Sequence, residues 1–581
     1  MHRMRDTAGG RLRAPAIALG AGALLLTAWP HDAAAARSCA DLATLALPGN
    51  GSVTAAEEIP AGSYTPPGTS TAYPNLPAFC RIAATLRPSP DSNIRVEVWM
   101  PMGAAWNGRL NGTGNGGYAG TISYSALATG TALGFATANT DQGTSPSTGL
   151  DGTPLVGHPQ KWIDFGHRAT HLMTTAAKRL ISEFYDQGPS RSYFTGCSDG
   201  GHQAYQEAQR FPEDYDGILA GAPANNRTHL QVGGPYIYNS LRASPASGIT
   251  EQTGQVITQA VLAACAGKDG GLASDPFLTD PRQCRFDPRS IVCGAGGPPG
   301  ACLTPEQAEA ARLLYRGPHN PRTGQRIYVG VPRGSESGHT FDWALLGGLT
   351  DPNNPRNSLL FNGLLQWVFG AGFQPVSFDF DRNVRQLDQV LAGDINANDP
   401  DLRAFRARGG KLLSYHGLID SLVPPYDNIN YHLRVVQAEQ AGWEAAEQIP
   451  EGADTVDPAA LRRTQEFYRL FLVPGMGHCG GGPGPNVLTA SPSMLFAGDP
   501  ERNALVALQR WVEQGVAPER LVATHFVNNS PAAGIAFTRP LCPFPQIAQY
   551  RGTGPTTDAA SFDCVPGPVG PNQNVTAEYL R

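Results

Sequence analysis

Apolar and polar positions set the first expectations. Along Asn93–Met100, Ile94, Val96 and Val98 alternate with Arg95, Glu97 and Trp99, the period of a half-buried strand. Phe135–Ala138 is a short apolar run that reads as a buried strand. From His167 to Tyr185 the period lengthens to that of an amphipathic helix, which Gly188-Pro189 ends. Arg191–Thr195 then reads as a strand and Gly201–Arg210 as a helix. Strands that alternate with helices imply a parallel sheet covered by helices, an α/β fold.

The pattern breaks after Pro223. Residues 225–399 are rich in Gly, Pro and short irregular pieces, and four cysteines cluster there. This stretch reads as an inserted lid. The alternation returns with strands at Lys411–Tyr415 and Phe467–Val473. A helix at Asn503–Gln514 follows, with Ala504, Leu505, Ala507, Leu508 and Trp511 on one face. The expected organisation is therefore a sheet-bearing domain from 37–224 and 400–581, interrupted by a lid at 225–399. No internal repeat is visible.

Residues 1–36 read as a signal peptide. Arg3, Arg5, Arg11 and Arg13 precede an apolar run from Ala14 to Trp29, and Ala34-Ala35-Ala36 offers a cleavage site. No later stretch is long and apolar enough to span a bilayer, so the mature chain is expected to be secreted or periplasmic, away from any membrane. With 16% charged residues, 41% hydrophobic residues and a net charge of −6, the chain has the make-up of a globular protein. It carries no basic stripe, which argues against nucleic acid as a partner.

Ten cysteines in an exported chain imply disulfides. Spacing suggests three local pairs, Cys265 with Cys284, Cys293 with Cys302, and Cys542 with Cys564, although sequence alone does not fix connectivity. A zinc site is the competing reading of the cluster from Cys265 to Cys302. It lacks a C-x-x-C pair and a nearby histidine.

The candidate chemistry starts at Gly196-Cys197-Ser198-Asp199-Gly200, a G-x-S-x-G sequence between an expected strand and an expected helix. Such a sharp turn exposes a serine hydroxyl. Asp420 and His478 each follow an expected strand, at the sheet edge where ligands bind in parallel α/β folds. The order Ser198, Asp420, His478 is that of nucleophile, acid and base in the α/β-hydrolase arrangement. His478 would remove the Ser198 proton during attack and return it to the leaving alcohol. Asp420 would fix the imidazole tautomer and stabilise the imidazolium. The oxyanion needs fixed N–H donors. Asp199 is one candidate, and Gly116 or Gly117, in the loop Gly114-Asn115-Gly116-Gly117, is the other.

Four stretches together resemble the tannase and feruloyl esterase family, which also contains mono(2-hydroxyethyl) terephthalate hydrolase. They are Gly196-Cys197-Ser198-Asp199-Gly200-Gly201, Gln209-Arg210-Phe211-Pro212, Gly221-Ala222-Pro223 and Pro474-Gly475-Met476-Gly477-His478-Cys479. The resemblance extends over nearly all of the mature chain. It implies an α/β-hydrolase core with a large lid inserted between serine and aspartate. It also implies a disulfide from Cys197 to Cys479 that joins the nucleophile loop to the histidine loop, a pair from Cys39 to Cys80, and the three local pairs.

The resemblance further implies calcium in the lid. Asp269 and Asp275 would be ligands, helped by the carbonyls of Gly271 and Phe277. This chain departs from the family there: Ala266 stands where an aspartate is usual, and the loop is about two residues longer, as surface loops tolerate. Asp280 is a substitute ligand.

The expected activity is that of a serine esterase acting on small esters of aromatic carboxylic acids. Trp343 and Trp367, with Phe361 and Phe369, are the lid aromatics expected to contact the acyl ring. Leu359–Phe373 contains no Arg or Lys to clamp the carboxylate of a terephthalate monoester. Feruloyl or galloyl esters are therefore expected over that substrate. Other readings are a terephthalate monoester hydrolase, a peptidase or thioesterase with the same triad, and a binding protein on a retired hydrolase fold.

Overall fold

A ten-stranded sheet organises the molecule. The computed structural model describes residues 37–294, 301–351, 353–354, 363–441, 456–489 and 496–570. The expected signal peptide at 1–36 and the lid residue Phe361 lie outside the described residues. In chain order the strands of the sheet are β1 (Ala46–Leu47), β2 (Gly51–Ile59), β3 (Phe79–Leu86), β4 (Ile94–Pro101), β5 (Arg109–Thr113), β6 (Ala136–Thr140), β7 (Arg191–Cys197), β8 (Gly217–Gly221), β9 (Lys411–Gly417) and β10 (Tyr468–Val473). Their spatial order is β1-β2-β3-β4-β6-β5-β7-β8-β9-β10. The first four pair antiparallel, β4 meets β6 antiparallel, and every pair from β6 to β10 is parallel.

Successive strand residues face opposite sides of a sheet, and here each side has its own core. Phe194, Ile218 and Leu412 are register partners. They pack with Met173, Ala176 and Leu180 of the helix Ala169–Tyr185. Tyr193, Leu219, Leu413 and Phe471 point the other way, onto Leu505, Leu508 and Trp511 of the helix Ala504–Gln514. Strands covered on both faces are apolar throughout, which is why β8 reads Gly-Ile-Leu-Ala-Gly and is wholly buried. The helix expected from His167 begins at Ala169, because one wide turn at Asp164–Arg168 precedes it.

Between β8 and β9 the chain forms helices at Arg227–Leu241, Glu251–Cys265, Pro305–Arg316, Trp343–Leu349 and Leu364–Phe369. Local signals fix their starts. Thr304 and Gln307 form a reciprocal capping box before Pro305, and the Thr250 side chain accepts from the Thr253 N–H. These helices enclose an apolar cluster that includes Leu230, Ile257, Leu314, Trp343 and Leu365. The cluster runs on without a break into Leu422, Val423, Tyr426 and Ile429. Those last four directly follow Asp420, so the inserted helices pack on the segment that carries the expected acid.

Candidate active site

The end of β7 and the start of the helix Asp199–Arg210 meet at Ser198. Its backbone has φ 68° and ψ −119°, a conformation that costs a non-glycine residue of order 1–3 kcal/mol. The surroundings enforce it. The Ser198 N–H donates to the Gly221 carbonyl at 3.0 Å, and its carbonyl accepts from His202 and Ala224. A Cβ on Gly196 would lie 2.4 Å from the Gly200 carbonyl oxygen, so strand and helix can close this tightly only with glycine there.

Asp420 leaves the end of β9 in a loop stitched to the end of β10. Leu418 N–H donates to Val473 O at 2.9 Å, and Ile419 N–H to Met476 O at 3.1 Å. The fully buried Asp420 carboxylate accepts from the N–H groups of Leu422 and Val423 at 3.0 and 2.9 Å. His478 Nδ1 lies 2.7 Å from Asp420 Oδ2, and its Nε2 lies 2.8 Å from Ser198 Oγ. A carboxylate only accepts, so Nδ1 carries the proton and Nε2 is free to accept from the serine hydroxyl. Burial works against the Asp420 charge, but His478 and His416 outweigh it and hold the carboxyl below its ordinary range. His416 Nε2 donates to the Val423 carbonyl at 2.7 Å and lies 3.4 Å from Asp420 Oδ2, so it steadies the acid from behind.

The glycine loop after β5 closes over the nucleophile. Gly200 N–H donates to Asn115 O at 2.8 Å, and Asn115 N–H donates to Gln203 Oε1 at 2.9 Å. Both bonds fasten the loop to the helix Asp199–Arg210. Gly117 has φ 61°, and a Cβ there would lie 1.7 Å from the Gly149 carbonyl oxygen. Among the described hydrogen bonds, none uses the N–H of Gly116, Gly117 or Asp199 as donor.

All ten cysteines are paired: Cys39–Cys80, Cys197–Cys479, Cys265–Cys284, Cys293–Cys302 and Cys542–Cys564. The second of these joins the residue before Ser198 to the residue after His478 across 282 positions of sequence. Closing so long a loop lies at the upper end of the roughly 0–5 kcal/mol a disulfide contributes.

Of the expected substrate contacts, Trp343 is fully buried. Its indole N–H donates to Ser335 Oγ at 3.0 Å, and its ring packs edge-on to Tyr315. Trp367 stacks on Trp162, packs against Tyr118 and Phe165, and donates to the Gly152 carbonyl. Both rings are buried and packed within the same apolar cluster. Phe369 packs on Phe373 and Phe378. The lid aromatic that does meet the triad is Phe341, edge-on to His478 with centroids 5.4 Å apart. Ser421, next to Asp420, donates to the Phe341 carbonyl. His339 packs against Gly477, and burial lowers its pKa. No periodicity or motif singles out Phe341 or His339, which lie in an irregular stretch of the lid.

The expected calcium loop is already internally bonded. The Asp269 carboxylate accepts from the N–H groups of Gly271 and Asp280. Asp275 pairs with Arg539 at 2.7 Å. Asp280 is held by Arg282 through two bonds of 2.8 Å. The Phe277 ring stacks on Phe537, and Ala266 brings no oxygen side chain. Calcium takes about 6–8 oxygen ligands, and among the described residues no group of three or more His, Cys, Asp or Glu could hold a metal. Two of the three expected carboxylates, Asp275 and Asp280, are thus engaged by arginines in this arrangement.

The sequence model of a family described as tannase and feruloyl esterase matches residues 80–565. An uncharacterised esterase of Xanthomonas campestris pv. campestris is 40% identical over 561 residues, covering 94% of each chain. A protein named probable feruloyl esterase B-1, from Aspergillus flavus, is 31% identical over 526 residues, 87% of this chain and 91% of its own. The crystal structure of feruloyl esterase B from Aspergillus oryzae superposes with a TM-score of 0.77 at 26% identity, over 91% of this chain and all of that one.

Two outcomes follow from this geometry. Cys197→Ser or Cys479→Ser should lower kcat by about 100-fold, the cost of roughly 1 Å of misplacement between base and nucleophile, while circular dichroism still shows a folded chain. Unchanged turnover in either variant means that the bridge does not position the site. Treatment with EDTA should leave the melting temperature within about 2 °C of the untreated protein, and a larger fall restores calcium to the lid.

Proposed function

From the premise that this chain belongs to the tannase and feruloyl esterase family, whose members are carboxylic ester hydrolases, we propose that it is an exported serine esterase acting on esters of aromatic, phenolic acids. The observation that carries this reading is the hydrogen-bonded line from Ser198 through His478 to Asp420. In it Ser198 Oγ attacks the ester carbonyl as His478 Nε2 takes the hydroxyl proton. The carbonyl oxygen becomes an oxyanion, met by the N–H of Asp199 and that of Gly116 or Gly117. The intermediate collapses when the C–O bond to the alcohol breaks and His478 returns the proton to the leaving oxygen. An acyl group then remains on Ser198. Water repeats the sequence, with His478 as base, and releases the acid. Asp420 keeps its charge throughout and holds the imidazole in the productive tautomer.

Phe341 supports an aromatic acyl group, since its ring lies against the imidazole where a planar acyl chain would pass. The absence of Arg and Lys from Leu359–Phe373 favours a neutral phenolic ring over a terephthalate monoester. Export is supported by the leader-like residues 1–36 and by the five disulfides. No helix among the described residues is long and apolar enough to cross a membrane.

Labelling with a fluorophosphonate, followed by a panel of methyl ferulate, methyl gallate, a terephthalate monoester and a peptide amide, tests the proposal. The adduct should form on Ser198, and the two phenolic esters should turn over fastest. Ser198→Ala should lower kcat by at least about 10⁴-fold. No adduct on Ser198 sinks the serine esterase reading, and preference for the monoester or the amide sinks the substrate class.

A further inference from the structure

The residue after the nucleophile is a buried acid. Asp199 is fully buried, and neither carboxylate oxygen has a hydrogen-bond partner. Its backbone N–H is nonetheless one of the expected oxyanion donors. A bare carboxylate on that residue repels the negative charge the N–H is meant to stabilise. Some other group must offset it.

Arg227 is the candidate. It opens the helix Arg227–Leu241 and is itself buried. Its Nη2 donates to the Gly117 carbonyl at 3.0 Å, in the glycine loop above the nucleophile. The guanidinium lies over the rings of Tyr118 and Phe165, 5.3 and 5.7 Å from their centroids. Burial raises the Asp199 carboxyl to about 6, with Arg227 the foremost influence pulling it down and the Gln142 amide a lesser one. The other titratable neighbours are neutral. His202 Nδ1 is 3.7 Å from Asp199 Oδ1, but burial pushes that imidazole down to about 3. Burial pushes Tyr118 up to about 12, with Asp199 and Asp151 adding to the rise. Arg227 is thus the charged group that acts on Asp199 among the described residues.

We propose that Arg227 is a positioning residue of the oxyanion hole. One arm of its guanidinium holds the Gly117 carbonyl, so that the loop keeps its N–H groups turned to the serine. Its charge also offsets part of that of Asp199, so that the donors of the hole face less negative charge from that residue. The proposal rests on the reading of Ser198 as an ester-attacking nucleophile. It assigns Arg227 no contact with substrate.

Arg227→Gln, Arg227→Lys and the double variant Arg227→Gln with Asp199→Asn test it on methyl ferulate. Arg227→Gln should lower kcat at pH 8 by about 10–100-fold, with KM within about 3-fold. Its kcat should also fall as pH rises, because Asp199 now ionises without a counter-charge. The double variant should lose that falling limb and regain about 10-fold at pH 8. Arg227→Lys keeps the charge and should lie between Arg227→Gln and the parent. Equal kcat in Arg227→Gln and the double variant at every pH overturns the electrostatic role, and parental kcat in Arg227→Gln overturns the proposal entirely.

A second readout does not depend on catalysis. An acid with a raised folded pKa loses its stabilising contribution as pH climbs from its unfolded value, about 3.9, through its folded one. For Asp199 that window ends near 6. In Arg227→Gln it should extend upward, so that melting temperature keeps falling with pH past the point where the parent levels off. Asp199→Asn should remove the extension. No upward extension overturns the coupling. Failure of the parent to label with a fluorophosphonate overturns the esterase reading and leaves this measurement standing.

Discussion

Parallel pairing of β7 through β10 is the constraint on which the site depends. Its register aligns Cys197 with Gly221 and Tyr415, and Gly417 with Val473. The chain therefore leaves β7, β9 and β10 at the same edge of the sheet, and the three exits deliver Ser198, Asp420 and His478 within hydrogen-bonding distance. A slip of one residue in any of these strands would turn its side chains to the opposite face. It would break the two cores and separate the imidazole from the hydroxyl together. The apolar packing of Phe194, Ile218 and Leu412 on one side, and of Tyr193, Leu219 and Leu413 on the other, therefore also determines the geometry of a polar site.

That polar site runs from a fully buried carboxylate to a half-buried imidazole and hydroxyl. Asp420 is fully buried yet ionised, because two N–H groups and two histidines address its oxygens. Without them burial would raise this carboxyl, as it does that of Asp199. The arrangement makes base and acid interdependent: His478 needs Asp420 to set its tautomer, and Asp420 needs His478 to stay charged. The Cys197–Cys479 bridge ties the serine turn to the histidine loop covalently. It acts where small displacements matter most, since a hydrogen bond of 2.8 Å leaves little tolerance.

Much of this was legible in the sequence, for identifiable reasons. β4 shows clean alternation but is not the half-buried strand that pattern implies: Ile94, Val96 and Val98 enter one core, while Glu97 and Trp99 are buried on the other face, against Arg81 and Phe79. β9 and β10 were legible as short apolar runs because parallel strands are buried on both faces. The G-x-S-x-G turn is readable because its glycines answer a steric demand within five residues. β2 is harder: Gly51–Ile59 runs Gly-Ser-Val-Thr-Ala-Ala-Glu-Glu-Ile and is only half-buried near the sheet's edge, so little of its period survives. The lid aromatics are ambiguous for a different reason. Trp343 and Trp367 are large and apolar, which marks them equally for a core and for a ligand, and the core took both. Phe341 carries no signal of its own, because its position against His478 is set by long-range packing. The acidic loop at Asp269–Asp280 shows the same limit, since Asp275 pairs with Arg539, 264 positions away.

The inserted helices do more than roof the site. Their apolar cluster continues into Leu422, Val423, Tyr426 and Ile429, and two of those residues supply the N–H groups that hold Asp420. Phe341, from the same insertion, touches His478 and is gripped by Ser421. Arg227, the first residue of the first inserted helix, reaches the glycine loop on the other side of the serine. The insertion thus contacts the Asp420 loop, His478 and the glycine loop at once. A change in its packing cannot be confined to substrate recognition, because the residues that would shape the acyl pocket share a core with those that orient the catalytic groups. Divergence of substrate preference in such an architecture is easiest in side chains like Phe341, which meet the cleft from an irregular segment. It is hardest in buried ones like Trp343, whose loss would open the common core.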